Sequence, residues 1–309
     1  MLGSSSIRQR RAIRESRGDR IFLIVVYTFL AIIGLMVLYP MIYIVSSSLS
    51  SGKAVMSGSV VLWPVGFTLD GYRGLLNYAP IPTAFMYSVI YTVGGTALTL
   101  ALTVAMAYPL SRRDFYGRKV WIWALLLALM FNGGLIPFYI VVQTLGMINT
   151  IWSQMLPTAL NVFLVILAKT FFQQTISTEL FEAADIDGAN DLAVLTKIVL
   201  PLSKPIIAVI VLLTAVGIWN SYYYALIFLN SSDLYPLQLV MRSILEYAQL
   251  MTSGFGFNTM TPEQMMYYQN MQALLKYALI VVSTLPMLLL YPLVQRYFVK
   301  GVMLGSLKE

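Results

Sequence analysis

The 309-residue chain contains no cysteine and no histidine. The first absence rules out disulfides and thiolate chemistry. The second removes the side chain most used for proton transfer near neutral pH and the commonest metal ligand, so no metal site is expected. Charge is scarce as well: 11% of residues are charged, against about 25% in a soluble domain. A Gly-x4-Gly-Lys-Ser/Thr phosphate loop is also missing, so the chain does not itself carry that nucleotide site. What is there is apolar. Hydrophobic residues make up 59%, and the mean hydropathy is +0.77. Length alone would allow two soluble domains, but this composition describes an integral membrane protein, and its long apolar runs predict an all-α one.

The apolar runs predict six spans, at about residues 21–45, 84–110, 119–142, 151–172, 205–229 and 275–299. The first is too long for the roughly 7–15 residue core of a cleaved signal peptide. At about 1.5 Å per residue it reaches across a hydrocarbon core of about 30 Å. Gln154, Pro157 and Asn161 interrupt the fourth. An even number of spans puts both termini on one side. If that side is the cytoplasm, it holds a basic arm over residues 1–20 with Arg8, Arg10, Arg11, Arg14, Arg17 and Arg20. It also holds Arg112, Arg113, Arg118 and Lys119, then Lys169, Lys197 and Lys204, then Arg296, Lys300 and Lys308. Only Lys53, Arg73, Arg242 and Lys276 fall outside. This asymmetry predicts cytoplasmic termini, with residues 300–309 as a cytoplasmic tail. It also accounts for the net charge of +7 without nucleic acid. The expected location is the cell inner or plasma membrane.

Two outer loops are long, 46–83 and 230–274. In the second, Thr261-Pro262-Glu263-Gln264 has the chemistry of a helix start: a Thr cap, Pro at the first position and Gln for the reciprocal bond. It predicts a short outer helix over about 262–271. Polar groups also interrupt the spans. Asn132, Gly133, Asn220 and the aromatic run Tyr222, Tyr223 and Tyr224 fit either bundle packing or a solute pathway, because polar side chains at membrane depth face protein or water.

Between the fourth and fifth spans lies a small, acidic segment, 177–204. Ser177 or Thr178 can cap a helix whose first turns hold Glu179 and Glu182. Gly188 suits a left-handed stop, and Asn190 can cap a second helix. In that helix Leu192, Leu195 and Val199 share one face, with Val194 and Ile198 nearby. Pro201 and Pro205 are expected to end it. Physics alone leaves open whether this is a solvated connector or a docking element.

The run Glu182-Ala183-Ala184-Asp185-Ile186-Asp187-Gly188-Ala189, followed by Ile198 and Leu200-Pro201, resembles the EAA loop of ABC importer permeases, in the form of their carbohydrate branch. Asn132-Gly133-Gly134-Leu135-Ile136-Pro137 and Leu145-Gly146-Met147-Ile148-Asn149-Thr150 resemble the third-span region of that branch. The tail from Gln295 to Ser306 is similar to that of its MalG-like members. The resemblance implies a six-span subunit that pairs with a second, related permease. It implies two ATPase subunits, which bind Mg-ATP, and an extracellular or periplasmic solute-binding protein. No catalytic residue and no cofactor are implied in this chain.

By the same resemblance, Glu182, Ala183, Ala184, Asp185, Gly188, Ala189, Leu192, Leu195, Ile198, Leu200 and Pro201 form the ATPase-coupling element. Lys300, Gly301, Gly305 and Ser306 are a candidate second contact. The expected function is import of a sugar or oligosaccharide. A permease for amino acids, peptides or phosphate is the alternative. A secondary transporter would need ionisable groups inside the spans, and the predicted spans contain no acidic residue. A membrane enzyme would have to work with Asp or Glu, whose cluster lies in the loop instead.

Overall fold

A computed structural model describes residues 16–78, 80–131, 133–252 and 261–305. The fold is all-α, with no strand among the described residues. In chain order the helices are α1 (Arg17–Ser48), α2 (Gly52–Met56), α3 (Asp70–Asn77), α4 (Pro80–Ser111), α5 (Arg118–Met130) and α6 (Leu135–Thr144). Then follow α7 (Trp152–Met155), α8 (Val162–Thr175), α9 (Thr178–Ile186) and α10 (Asp191–Val194). A π-turn (Leu195–Val199) leads to α11 (Leu200–Leu202), α12 (Lys204–Trp219) and α13 (Tyr223–Phe228). A 3-10 turn (Ser232–Leu234), α14 (Leu237–Thr252) and α15 (Pro262–Gly305) complete the order.

Three stretches, α1, α4 and Glu263–Pro292 of α15, are single helices long and apolar enough to cross a bilayer. Two bent pairs raise the number of spans to five, and α8 is a shorter apolar helix. The first span is longer than expected at both ends. Ser16 Oγ accepts from the Asp19 amide while Asp19 accepts from the Ser16 amide, a reciprocal cap.

The expected third span, 119–142, is not one rod. It divides into α5 and α6, which meet at 115°. Gly134 sits at φ +81 and ψ 171, a backbone conformation open to glycine and hostile to a continued helix. Pro137 then falls in the first turn of α6, where its missing N–H costs nothing. The expected fourth span, 151–172, is reduced to α7 and the 14-residue α8, whose Asn161 cap accepts from the Leu164 amide. The fifth, 205–229, breaks after Trp219 and resumes as α13.

The short outer helix at 262–271 is instead the first part of α15, which runs unbroken to Gly305. Its start is as expected: Thr261 and Gln264 bond reciprocally. Nothing between Met271 and Lys276 breaks the helix, so it continues into the sixth span.

Two cores sit at opposite ends of α4. One gathers Leu75, Ile81, Ala84, Trp219, Leu237 and Leu279. There the Trp219 indole N–H donates to the Ser283 carbonyl at 2.8 Å, fastening α12 to α15. The other gathers Ala107, Leu110, Leu125, Val165, Phe172, Ala184, Val194, Val199 and Ile210. Since α4 ends in this second core and α12 begins there, the two helices run antiparallel, and the 177–204 loop is part of the core that joins them.

Candidate functional site

The loop is built on two turns that local chemistry dictates. Ser177, in extended conformation, precedes α9. Its hydroxyl holds the Glu179 carboxylate below the usual carboxylate range. At the other end of α9, Gly188 has φ +69. Its amide bonds the Asp185 carbonyl at 3.1 Å, and the Ala189 amide bonds the Ala184 carbonyl at 2.9 Å. These are the two bonds of a Schellman ending, which requires a left-handed residue at this position. The Asn190 side chain then accepts from the Ala193 amide at 2.8 Å and starts α10.

Pro201 does not end the second helix. It would remove an i→i−4 bond and crowd the carbonyl of residue 197. The chain widens into the π-turn over Leu195–Val199 just before it, which gives the ring room. Pro201 lies within α11 and Pro205 in the first turn of α12. The direction changes by 80° at Ser203, between α10–α11 and α12.

The widened turn also changes which face is buried. Val194 and Val199 are in the core, and Leu195 and Ile198 pack against it. Leu192, expected on the same face, is 68% exposed. Of the Ala pair, Ala184 is buried against the core, whereas Ala183 and Glu182 are exposed. Gly188, Asp185 and Pro201 are exposed too; Ala189 and Leu200 are half-buried. Ile186 is 87% exposed. The outer side of the loop therefore carries Glu182, Ala183, Ile186 and Leu192 on a backbone fixed from below.

What fixes it comes from far along the chain. Tyr108 and Arg112, one turn apart at the end of α4, both reach the loop. The Tyr108 hydroxyl donates to Asp191 Oδ1 at 3.2 Å. Arg112 bonds both carboxylate oxygens of Asp114 at 3.1 and 3.2 Å. Its Nη2 lies 3.9 Å from Asp185 Oδ2, and its guanidinium covers the Phe181 ring at 4.3 Å. Its side chain is only 13% exposed. Burial works against the Arg112 charge, but Asp114, Tyr108 and Asp185 outweigh it and raise the arginine pKa. Arg112 in turn holds Asp114 below the usual carboxylate range through its hydrogen bonds, against the opposing effect of burial. Sequence reading missed both residues, because no local pattern links position 112 to position 185.

Of the residues considered for a solute pathway, Tyr223 and Tyr224 meet edge to face at 5.6 Å; the other described ones lie apart. Asn132 lies outside the described residues. Gly133 is exposed at the α5–α6 break. Asn220 is exposed, and its amide donates to the Val216 carbonyl of its own helix. Tyr222 lies under the Arg242 guanidinium at 4.9 Å, and Tyr223 is exposed. Tyr224 faces a cavity of about 280 Å³, with its ring stacked on Phe228 at 5.9 Å. Of the tail contacts, Lys300, Gly301 and Gly305 lie in the last turns of α15, and Ser306 lies outside the described residues.

Residues 120–304 match the family described as binding-protein-dependent transport system inner membrane component. The chain belongs to this family and is a membrane-embedded permease component of such a transport system. Among its relatives is the polygalacturonan/rhamnogalacturonan transport system permease protein YtcP of Bacillus subtilis (strain 168), 40% identical over 94% of this chain and 99% of the relative. Protein LplC of the same organism is 38% identical over 95% and 97%. A crystal structure of a bacterial ABC transporter involved in the import of the acidic polysaccharide alginate contains a chain that superposes with a TM-score of 0.82. That chain is 35% identical, over 93% of this chain and all of its own length.

Proposed function

We propose that this chain is one of two related permease subunits of an ATP-driven oligosaccharide importer. A separate binding protein delivers the sugar, and two ATPase subunits supply the energy. The observation that carries the proposal is the 177–204 loop. It is a rigid helix–turn–helix that is part of the core uniting α4, α8 and α12, yet it presents Glu182, Ala183, Ile186 and Leu192 outward. Such an element can pass movement of a bound partner to the spans. ATP binding then shifts the balance between inward- and outward-open states by its differential affinity for them. The sugar class is supported by the names of the relatives above and by the resemblance of the EAA loop and tail.

Six passes follow if each bent pair counts as one and α7–α8 as another short one. The charge distribution then favours cytoplasmic termini and a cytoplasmic loop. The tail from Lys300 onward is the proposed second ATPase contact. The test is isolation of the native complex through this chain. Recovery of an ATPase pair, a second permease and a binding protein loaded with an oligosaccharide is expected. Recovery of a binding protein loaded with an amino acid or peptide would overturn the sugar assignment, and recovery of the chain alone would overturn the importer.

A further inference from the structure

The cavity behind Tyr224 has a polar wall that the fold itself does not use up. It lies where α4, the α7–α8 connection, α12 and α13 meet, and its lining includes Thr99, Gln154, Asn161, Thr214 and Ser221. Some groups there already serve the protein. The Tyr91 hydroxyl donates to the Leu234 carbonyl at 2.9 Å, and Ser88 Oγ accepts from the Leu237 amide at 2.7 Å. Both hold the 3-10 turn and the start of α14 against α4. Others are free. Thr214 Oγ1 is buried without a hydrogen-bond partner. Thr99 is 3% exposed, and its hydroxyl has no partner among the described residues. Asn161 uses only its oxygen, as the α8 cap. Gln154 uses only its amide nitrogen, on Ser153.

Roughly 90% or more of buried polar groups in proteins are paired. Two unpaired hydroxyls, Thr99 and Thr214, face one cavity in the middle reach of α4 and α12, with Gln154 half-buried and Asn161 exposed at its edge; together they point to a ligand that supplies the missing bonds. The lining contains no Lys, Arg, Asp or Glu, so a carboxylate or ammonium entering it would lose its hydration without finding a counter-charge. A volume of about 280 Å³ lies just below the range of drug-sized ligand sites, about 300 to 1,000 Å³. It suits one ring rather than a chain.

We propose that this cavity is a subsite for a single uncharged sugar unit, bound by this subunit itself through the hydroxyls of Thr99 and Thr214 and the amides of Gln154 and Asn161. The subsite rests on the importer reading and adds that the solute touches this chain during passage. It also moves the contact away from Asn220, Tyr222 and Tyr223.

Thr99→Val and Thr214→Val test it, because each removes a hydroxyl that bonds nothing in the protein while keeping its shape. The complete importer with its binding protein is reconstituted in proteoliposomes. Uptake of raffinose, arabinotriose and trigalacturonate is measured beside ATP hydrolysis and thermal unfolding. The expected result is uptake of a neutral trisaccharide that falls roughly twofold to tenfold with each Val variant, the effect of a lost hydrogen bond. Unfolding and hydrolysis stimulated by the loaded binding protein stay at wild-type values, and Thr99→Ser and Thr214→Ser restore uptake. Unchanged neutral uptake in both Val variants overturns the subsite and leaves the importer standing. Uptake of trigalacturonate alone overturns the uncharged class. Failure of the wild-type complex to take up any of the three overturns the importer reading and the subsite with it.

Discussion

Replacing Gly188 isolates the bend from everything around it. A β-carbon built at this position meets no atom within 4 Å, so a side chain introduces no clash and loses no packing. What remains is the backbone. At φ +69 an ordinary L-residue costs roughly 1–2 kcal/mol, and a β-branched one more. Two hydrogen bonds, Ala189 to Ala184 and Gly188 to Asp185, hold the turn, each worth about 1 kcal/mol net. The strain from valine is therefore comparable to the contribution of these two bonds. Since about 1.4 kcal/mol is a factor of ten in population, Gly188→Val should raise the wrongly bent fraction of molecules roughly tenfold or more. Asparagine tolerates the left-handed region, so the expected order of function is Gly, Asn, Ala, Val. The assay is ATPase co-purification together with substrate-stimulated hydrolysis in the reconstituted complex. Wild-type behaviour of Gly188→Val, or equal damage from Asn and Val, would refute the reasoning.

Arg112→Gln should lower the thermal unfolding temperature of the complex and weaken stimulated hydrolysis. It removes a nearly buried guanidinium from Asp114, Asp185 and Phe181, a loss of about 1–3 kcal/mol, and Arg112→Lys should restore only part because the paired bonds to Asp114 need the guanidinium fork. Asn149→Gly should speed amide exchange over residues 228–231. It keeps the positive φ of 58 but deletes the bonds that Asn149 Oδ1 accepts from the Asn230 and Ser231 amides and the one its Nδ2 donates to Ser231. Asp114 has its pKa lowered by folding, so its contribution is complete above the ordinary carboxylate range and is lost as pH falls through the lowered value. An acid titration of unfolding temperature should therefore be flatter in Asp114→Asn, with a small difference because the carboxylate is largely exposed.

What the sequence made legible is what neighbours in sequence decide. The Thr261–Gln264 cap, the Gly188 bend and the Asn190 cap each rest on bonds that span five residues or fewer, and each is where its residue types require. The hydrophobic runs located the spans, but a run averages over its own interruptions. That is why Gly133-Gly134 split the third span and why the 262–271 start merged with the sixth. The misassigned face at Leu192 arose from a 3.6-residue period applied across a stretch that widens to accommodate Pro201. Most remote were Tyr108 and Arg112. Their partners Asp191 and Asp185 lie more than 70 residues away, and only the packing of α4 on the loop brings them together. The same holds for the cavity, whose lining comes from four separate parts of the chain. Gln154 and Asn161 were visible only as blemishes in an apolar run.

In the proposed importer the 177–204 loop faces the cytoplasm and seats on an ATPase. Because the chain has no native cysteine, Ile186→Cys places one thiol at a position of the loop that is 87% exposed. A membrane-impermeant maleimide should leave it unlabelled in intact cells and label it in inside-out vesicles stripped of the ATPase. Readdition of the ATPase subunits should protect it. Labelling in intact cells, or labelling in vesicles that the bound ATPase leaves undiminished, would contradict the account.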